Sequence, residues 1–219
     1  MPDNPVPNFG GDLVRIHKVV TRALEVSRQN SQEKAPAEVD RAGFAIYVRA
    51  LTILLHSHHL GEDELAFPFW RTKLPDGPFD LLSEQHRQMT GMLEQIEDWL
   101  GAETAAWQPD KIAGVNQTFT KLQTIWLSHI AVEEANMGPE NARRYMTPEE
   151  NAQLGSQMAE HGQAHSQPGE LVIPFVIYNL AREDRAEFVK LMPPVMVQQL
   201  VPFAWKATWA PMTPFLLAE

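Results

Sequence analysis

HHLGEDELAFP (His58–Pro68) and HIAVEEANMGP (His129–Pro139) decide the fold when one is laid under the other. Each begins with His, has Glu four residues later, follows it with a second acid and reaches Pro ten residues after the His. Glu62 aligns with Glu133, and Asp63 with Glu134. Upstream, His17 precedes His58 by 41 residues and His86 precedes His129 by 43. Each upstream His has a Leu four places before it (Leu13, Leu82) and a basic residue after it (Lys18, Arg87). The first 140 residues therefore read as one two-helix unit used twice, which can close into a four-helix bundle with a pseudo-twofold axis.

Helical periodicity puts the repeated residues inside. The stripe Phe44, Val48, Leu51, Leu55, His58, Glu62, Leu65 advances by alternating steps of four and three. So do Val115, Phe119, Leu122, Trp126, His129, Glu133 and Leu82, His86, Met89, Leu93, Ile96, Leu100, and in shorter form Leu13, His17, Val20, Leu24. Such steps keep side chains on one face, so each His and Glu of the repeat shares the apolar face of its helix. The pattern predicts helices from about Asp12 (as N-cap) to Gln29, and from Glu38 to Phe67, weakened at Gly61 and stopped by Pro68. Two more run from about Phe79 to Leu100 and from Asp110 to Met137. A loose arm (Asp3 to Gly11), loops at Asn30 to Ala37 and Gly101 to Pro109, and a KLPDGP turn connect them.

A fifth helix is expected from Thr147, where T-P-E-E supplies a cap, a first-turn proline and a capping glutamate, to about His165. Beyond it, Pro174, Pro193, Pro194, Pro202, Pro211 and Pro214 cut the chain into short pieces. No hairpin signal is present. The expected fold class is all-α: an antiparallel four-helix bundle over 12–140, with 141–219 an extension made of one more helix and a lid of short helices packed on the bundle.

Four imidazoles and two carboxylates buried without partners would cost several kcal/mol for each charged group. A cation converts that cost into a site. His and Glu four residues apart stand one turn above each other, about 6 Å along the axis, and can reach one point. Two such pairs and two lone histidines give six donors, a nitrogen–oxygen set that suits iron, zinc or manganese better than calcium. Two ions roughly 3.5–4 Å apart, bridged by both glutamates, would use all six. Asp63 and Glu134, which follow these glutamates, are expected either to be solvated or to steer the ligand imidazoles by hydrogen bonds. A hydrogen-bonded core network without metal is the alternative.

Composition narrows the function classes. The chain has 219 residues, 44% hydrophobic and 21% charged, ordinary for a globular protein. A formal charge of −10 repels phosphate backbones, so no nucleic-acid partner is expected. The absence of Cys excludes disulfides, thiolate ligands and a Cys nucleophile, and fits a reducing cytoplasm. MPDNPVPNFGGDL has no basic patch followed by an apolar run, so no signal peptide is expected, and no apolar stretch reaches the ~20 residues of a membrane span.

The order of a lone His (His17), H-x3-E before Phe-Pro (His58, Glu62), a second lone His (His86) and a second H-x3-E (His129, Glu133) resembles the hemerythrin HHE cation-binding domain, over about residues 12–140. The resemblance implies a hemerythrin-like bundle with two iron ions, oxo-bridged in the family's manner, with zinc or manganese as lesser alternatives. Its ligands fall on His17, His58, Glu62, His86, His129 and Glu133, the glutamates bridging. It implies a protein that binds or reacts with a small oxidant (oxygen, peroxide or nitric oxide), with turnover as a di-iron oxidoreductase left open. Oxygen-carrying members have a further His four residues beyond the third-helix His, and here that place is Thr90. His161 or His165, continuing the stripe Leu154, Met158, is one expected substitute; solvent or an oxo bridge is the simpler one. His59, whose repeat partner is Ile130, is expected not to ligate, and His56 to face outward. The alternative function is an iron- or redox-dependent sensor or interaction module displaying the Trp- and Pro-rich C-terminal segment to a protein partner; the sparse basic residues there make a membrane surface a poor fit.

Overall fold

The computed structural model describes residues 7–32, 38–101 and 109–217, and every regular element among them is helical. The elements are α1 (Phe9–Asn30), α2 (Glu38–Gly61), α3 (Phe67–Lys73), α4 (Phe79–Gly101) and α5 (Pro109–Met137). After them come α6 (Pro139–Tyr145), α7 (Pro148–His165), α8 (Gly169–Asn179), α9 (Arg182–Phe188) and α10 (Lys206–Trp209). The loops expected at Asn30 to Ala37 and Gly101 to Pro109, and the start of the N-terminal arm, lie largely outside the described residues.

α1 and α4 each pack on both α2 and α5, so the four long helices form a closed ring. His17 and His86 lie in the first halves of α1 and α4, yet meet Glu133 near the end of α5 and Glu62 just past the end of α2. Successive helices therefore run in opposite directions, the up-and-down order that short connections favour. The apolar stripes face inward as their spacing requires: Leu13, Val20, Leu24, Phe44, Val48, Leu51, Leu55, Leu82, Met89, Leu93, Ile96, Val115, Phe119, Leu122 and Trp126 are all buried.

Two boundaries differ from expectation for local reasons. α1 begins before Asp12, because Asn8 is its N-cap: the Asn8 side chain accepts from the Gly11 N–H at 3.1 Å, while Asp12 accepts from the Asn8 N–H at 3.0 Å. Pro68 does not stop the second helix. A single π turn, Glu62–Ala66, follows α2 and leads into α3, with the Phe67 N–H bonded back to the Glu62 carbonyl. The wider turn accommodates a ring that lacks an N–H and would collide with the carbonyl four residues back in a regular helix. Gly61, expected as a weak point, lies at a helix crossing, where a Cβ would come within 3.2 Å of Met158 and 3.3 Å of His161 Nδ1 on α7. α7 starts at the expected cap: Thr147 Oγ1 accepts from the Glu150 N–H, and Glu150 accepts from the Thr147 N–H.

The buried apolar residues form two clusters. The larger fills the bundle from Val19 and Val20 to Ile96 and Phe119, and takes in Leu171, Val172, Phe175, Trp209, Met212 and Phe215 from the C-terminal segment. The smaller gathers Phe9, Leu13, Phe67, Trp70, Phe79, Leu82, Met137 and Leu154 at the other end. α8 packs on α1 and α2, and the 3-10 turn Ala210–Phe215 packs on α2. A buried polar contact ties these layers together: the Tyr47 hydroxyl donates to Asn179 Oδ1 at 2.8 Å, and Arg22 donates to Asn179 and, at 3.0 Å, to the Phe215 carbonyl.

Gly43 on α2 permits this approach, since a Cβ there would run into the Pro211 carbonyl. Gly43→Val should lower the unfolding free energy by about 1–3 kcal/mol through overpacking. That reads as a lower urea midpoint at unchanged m-value; a midpoint equal to the parent's would mean the Pro211 turn does not rest on α2.

Candidate metal centre

Between the two apolar clusters lies a polar layer. His17, His58, His59, Glu62, His86, His129 and Glu133 are each less than a tenth exposed, and Glu62, His129 and Glu133 are fully enclosed. The i, i+4 spacing brings each H-x3-E pair together: His58 Nε2 stands 3.3 Å from Glu62 Oε1, and His129 Nε2 3.2 Å from Glu133 Oε2. The lone histidines arrive from neighbouring helices. His17 Nε2 is 3.1 Å from Glu133 Oε2, and His86 Nε2 is 3.4 Å from Glu62 Oε2. The pseudo-twofold repeat of the sequence is thus a pseudo-twofold arrangement of donors.

These donors form two overlapping groups, His17, His58, Glu62, Glu133 and Glu62, His86, His129, Glu133, within each of which all ligand atoms lie within 4.8 Å of one another. Both glutamates belong to both groups. Nε2 of His17 and of His58, and both oxygens of Glu62 and of Glu133, are buried without a hydrogen-bond partner. Orphaned donors of this kind are rare in protein interiors, because each forfeits its hydration. Here they converge on a common interior region, and their chemistry, imidazole nitrogen and carboxylate oxygen, is that of a first-row transition-metal site.

The far edges of three of the imidazoles are held. His17 Nδ1 meets Glu134 Oε1 at 2.7 Å, and His86 Nδ1 meets Asp63 Oδ2 at 3.0 Å. Asp63 also accepts from Ser83 Oγ at 2.6 Å. The acid after each buried Glu therefore grips the lone His of the adjacent helix through Nδ1 and leaves Nε2 turned inward. His129 Nδ1 is held by Gln85 Oε1 at 3.1 Å, a partner the sequence reading did not single out. Aromatic rings close the layer. Phe67 stacks on His86 at 5.3 Å, and Trp126 lies against His17, His58 and His129 at 5.3, 5.9 and 6.0 Å.

Protonation shows what the cluster lacks. Burial disfavours the charge on His17, but the adjacent carboxylates of Glu133 and Glu134 outweigh it and raise its pKa to about 9. His86 likewise reaches about 9 through Asp63 and Glu62, against burial. Burial, then the charge of Glu133, pushes Glu62 up to about 8. Burial acts the same way on Glu133, but the close imidazoles of His129 and His17 overcome it and hold Glu133 well below the carboxylate range. Burial, aided by neighbouring histidine charge, holds His58 and His59 well below the usual imidazole value. Without metal, protons supply the positive charge that two buried carboxylates require.

All six main site residues named from the sequence come together here. His161 and His165 do not. His161 Nε2 pairs with Glu64 at 3.0 Å and stacks on His165, which is exposed, and neither belongs to a buried donor group. The stripe was read correctly as one face of α7, but that face meets Gly61 on the outer side of the bundle. His59, outside the repeat, is also buried, and a ligand atom of its ring lies within 4.8 Å of those of His86 and His129. His56 is half-buried, 3.8 Å from Glu97.

Fold and site together define a helical-bundle domain with a buried histidine–carboxylate cation site. The sequence profile of the Hemerythrin HHE cation binding domain matches residues 11–140, and the chain belongs to that family. No curated protein and no solved structure matches the chain.

Metal binding must displace the protons on His17, His86 and Glu62. The metal-free form holds them and the loaded form does not, so affinity should rise with pH and level off above about 9. Near pH 7.5, titration calorimetry in buffers of different ionisation enthalpy should show release of about two to three protons per chain. An affinity independent of pH with no proton release would contradict this protonation scheme.

Proposed function

We propose that the chain is a non-haem di-iron protein that binds or reacts with oxygen, peroxide or nitric oxide at the buried His/Glu site. The observation that supports this reading is the pair of donor groups sharing Glu62 and Glu133, which offers one donor set to each of two ions. His17 and His58 would hold one ion, His86 and His129 the other, with both glutamates common to the pair. Zinc and manganese accept similar donors; the family favours iron. When bound, iron supplies the electrons and an open coordination position for a small oxidant.

The chain's own residues do the rest. Glu134 and Asp63 fix the lone imidazoles, so that ligand directions are set before metal arrives. Phe67 and Trp126 keep bulk water from the layer, which strengthens every electrostatic interaction inside it. A cleft of about 330 Å³, lined by residues that include His59, Leu60, Thr90 and His165, reaches from the surface to His86 and offers a small ligand a way in. Trp209, Met212 and Phe215 of the C-terminal segment are packed in the core, so a sensor could display them only by extracting them, whereas Phe203 and Val195 are already exposed.

Protein purified in air should carry two irons per chain with near-ultraviolet ferric absorption. Glu134→Gln should weaken iron binding roughly 10–100-fold, and Glu133→Ala should lose the iron together with the thermal stabilisation it confers. Stopped-flow mixing of the reduced, iron-loaded protein with oxygen, peroxide or nitric oxide should change its absorption; silence with all three would falsify the oxidant reading.

A further inference from the structure

We propose that His59 is a seventh protein ligand, on the ion held by His86 and His129, acting from α2 in the place that Thr90 leaves vacant on α4. The inference rests on the two-ion reading above and extends it to a residue outside the repeat.

Four observations point the same way. His59 is 3% exposed, and neither ring nitrogen has a hydrogen-bond partner. His17, His86 and His129, by contrast, each have Nδ1 held by a side-chain oxygen. A ligand atom of His59 lies within 4.8 Å of those of His86 and His129, so the three could share one ion. The helical register explains the reach. One residue beyond His58 is a turn of about 100° around α2, which carries the side chain from the α1 side towards α4. Finally, Thr90 and His59 line the same cleft. Thr90 is one turn beyond His86 and has no nitrogen to offer, and His59 faces the same cleft from the adjacent helix α2.

The repeat breaks at this point. The residue that corresponds to His59 is Ile130, half-buried and without a donor, so only one half of the site gains a third imidazole. The His59 ring lies flat on His86, centroids 4.1 Å apart and planes 18° apart. Two stacked imidazoles must splay to aim both lone pairs at one ion, and the cleft beside them gives the ring room to turn.

Cobalt(II), used as the probe, tests this without turnover, because its visible bands strengthen as coordination number falls. The parent protein should take up two cobalt ions. His59→Leu should bind one of the two at least about 10-fold more weakly by chelator competition, with stronger visible bands. Its metal-free form should melt no lower than the parent, because an unpartnered buried imidazole gives way to an apolar side chain, while the melting-temperature gain on metal addition shrinks. Adding Thr90→His to His59→Leu should restore affinity and spectrum. If His59→Leu does not fold, His59→Gln is read by the same three measurements. Unchanged affinity and bands in the variant, beside two ions in the parent, would overturn the His59 assignment and leave the two-ion site standing. A lower metal-free melting point with the metal-induced gain intact would reduce His59 to a packing residue and also overturn it. Fewer than two ions in the parent would overturn the two-ion reading itself, and the assignment with it.

Discussion

Two carboxylates and five imidazoles are enclosed at one level of a helical bundle, where water cannot solvate them. That concentration of polar groups is the constraint around which the structure is arranged. An interior carboxylate without a counter-charge is strongly disfavoured, and two of them near each other more so. The cluster must therefore hold cations, either metal ions or the protons that His17, His86 and Glu62 retain at neutral pH. Folding and cation binding are in this way two aspects of one equilibrium.

The surroundings make the layer rigid. Each lone His is clamped between elements: α1 supplies His17 and α5 its partner Glu134; α4 supplies His86, and the π turn after α2 supplies Asp63. The same contacts that orient the imidazoles join adjacent helices. Apolar clusters above and below keep the layer from flooding, with Phe67 and Trp126 as its immediate walls. The π turn that begins at Glu62 has no counterpart at Glu133, which lies within regular helix α5. The wider turn lets the chain run on through Pro68 into α3 and brings Phe67 over His86. At Met137, α5 ends.

Much of this was legible in the sequence because helical spacing projects onto a face. The stripes through His58 and His129 specified both the buried faces and the pairing of each His with its Glu, and the repeat specified that two such pairs meet. The acids after each Glu were read as partners for ligand imidazoles, and Asp63 and Glu134 take those positions. Illegible were the features set by tertiary context. The stop expected at Pro68 assumed a regular helix, and a π turn absorbs the proline. His161 and His165 share a face of α7, but sequence could not say which side of the bundle that face meets. The burial of His59 beside His86 and His129 was likewise not legible, because its repeat partner Ile130 carries no donor and the internal symmetry gives no sign of it.

The central claim is that these side chains hold two ions between them. Anomalous diffraction from crystals of the iron-loaded protein, recorded on both sides of the iron edge, tests it most directly. The account predicts two iron peaks about 3.5–4 Å apart, both within bonding distance of Glu62 and Glu133, one beside His17 and His58 and the other beside His86 and His129. A single peak, or iron found only on the surface with the interior histidines and glutamates bonded to one another, would contradict it.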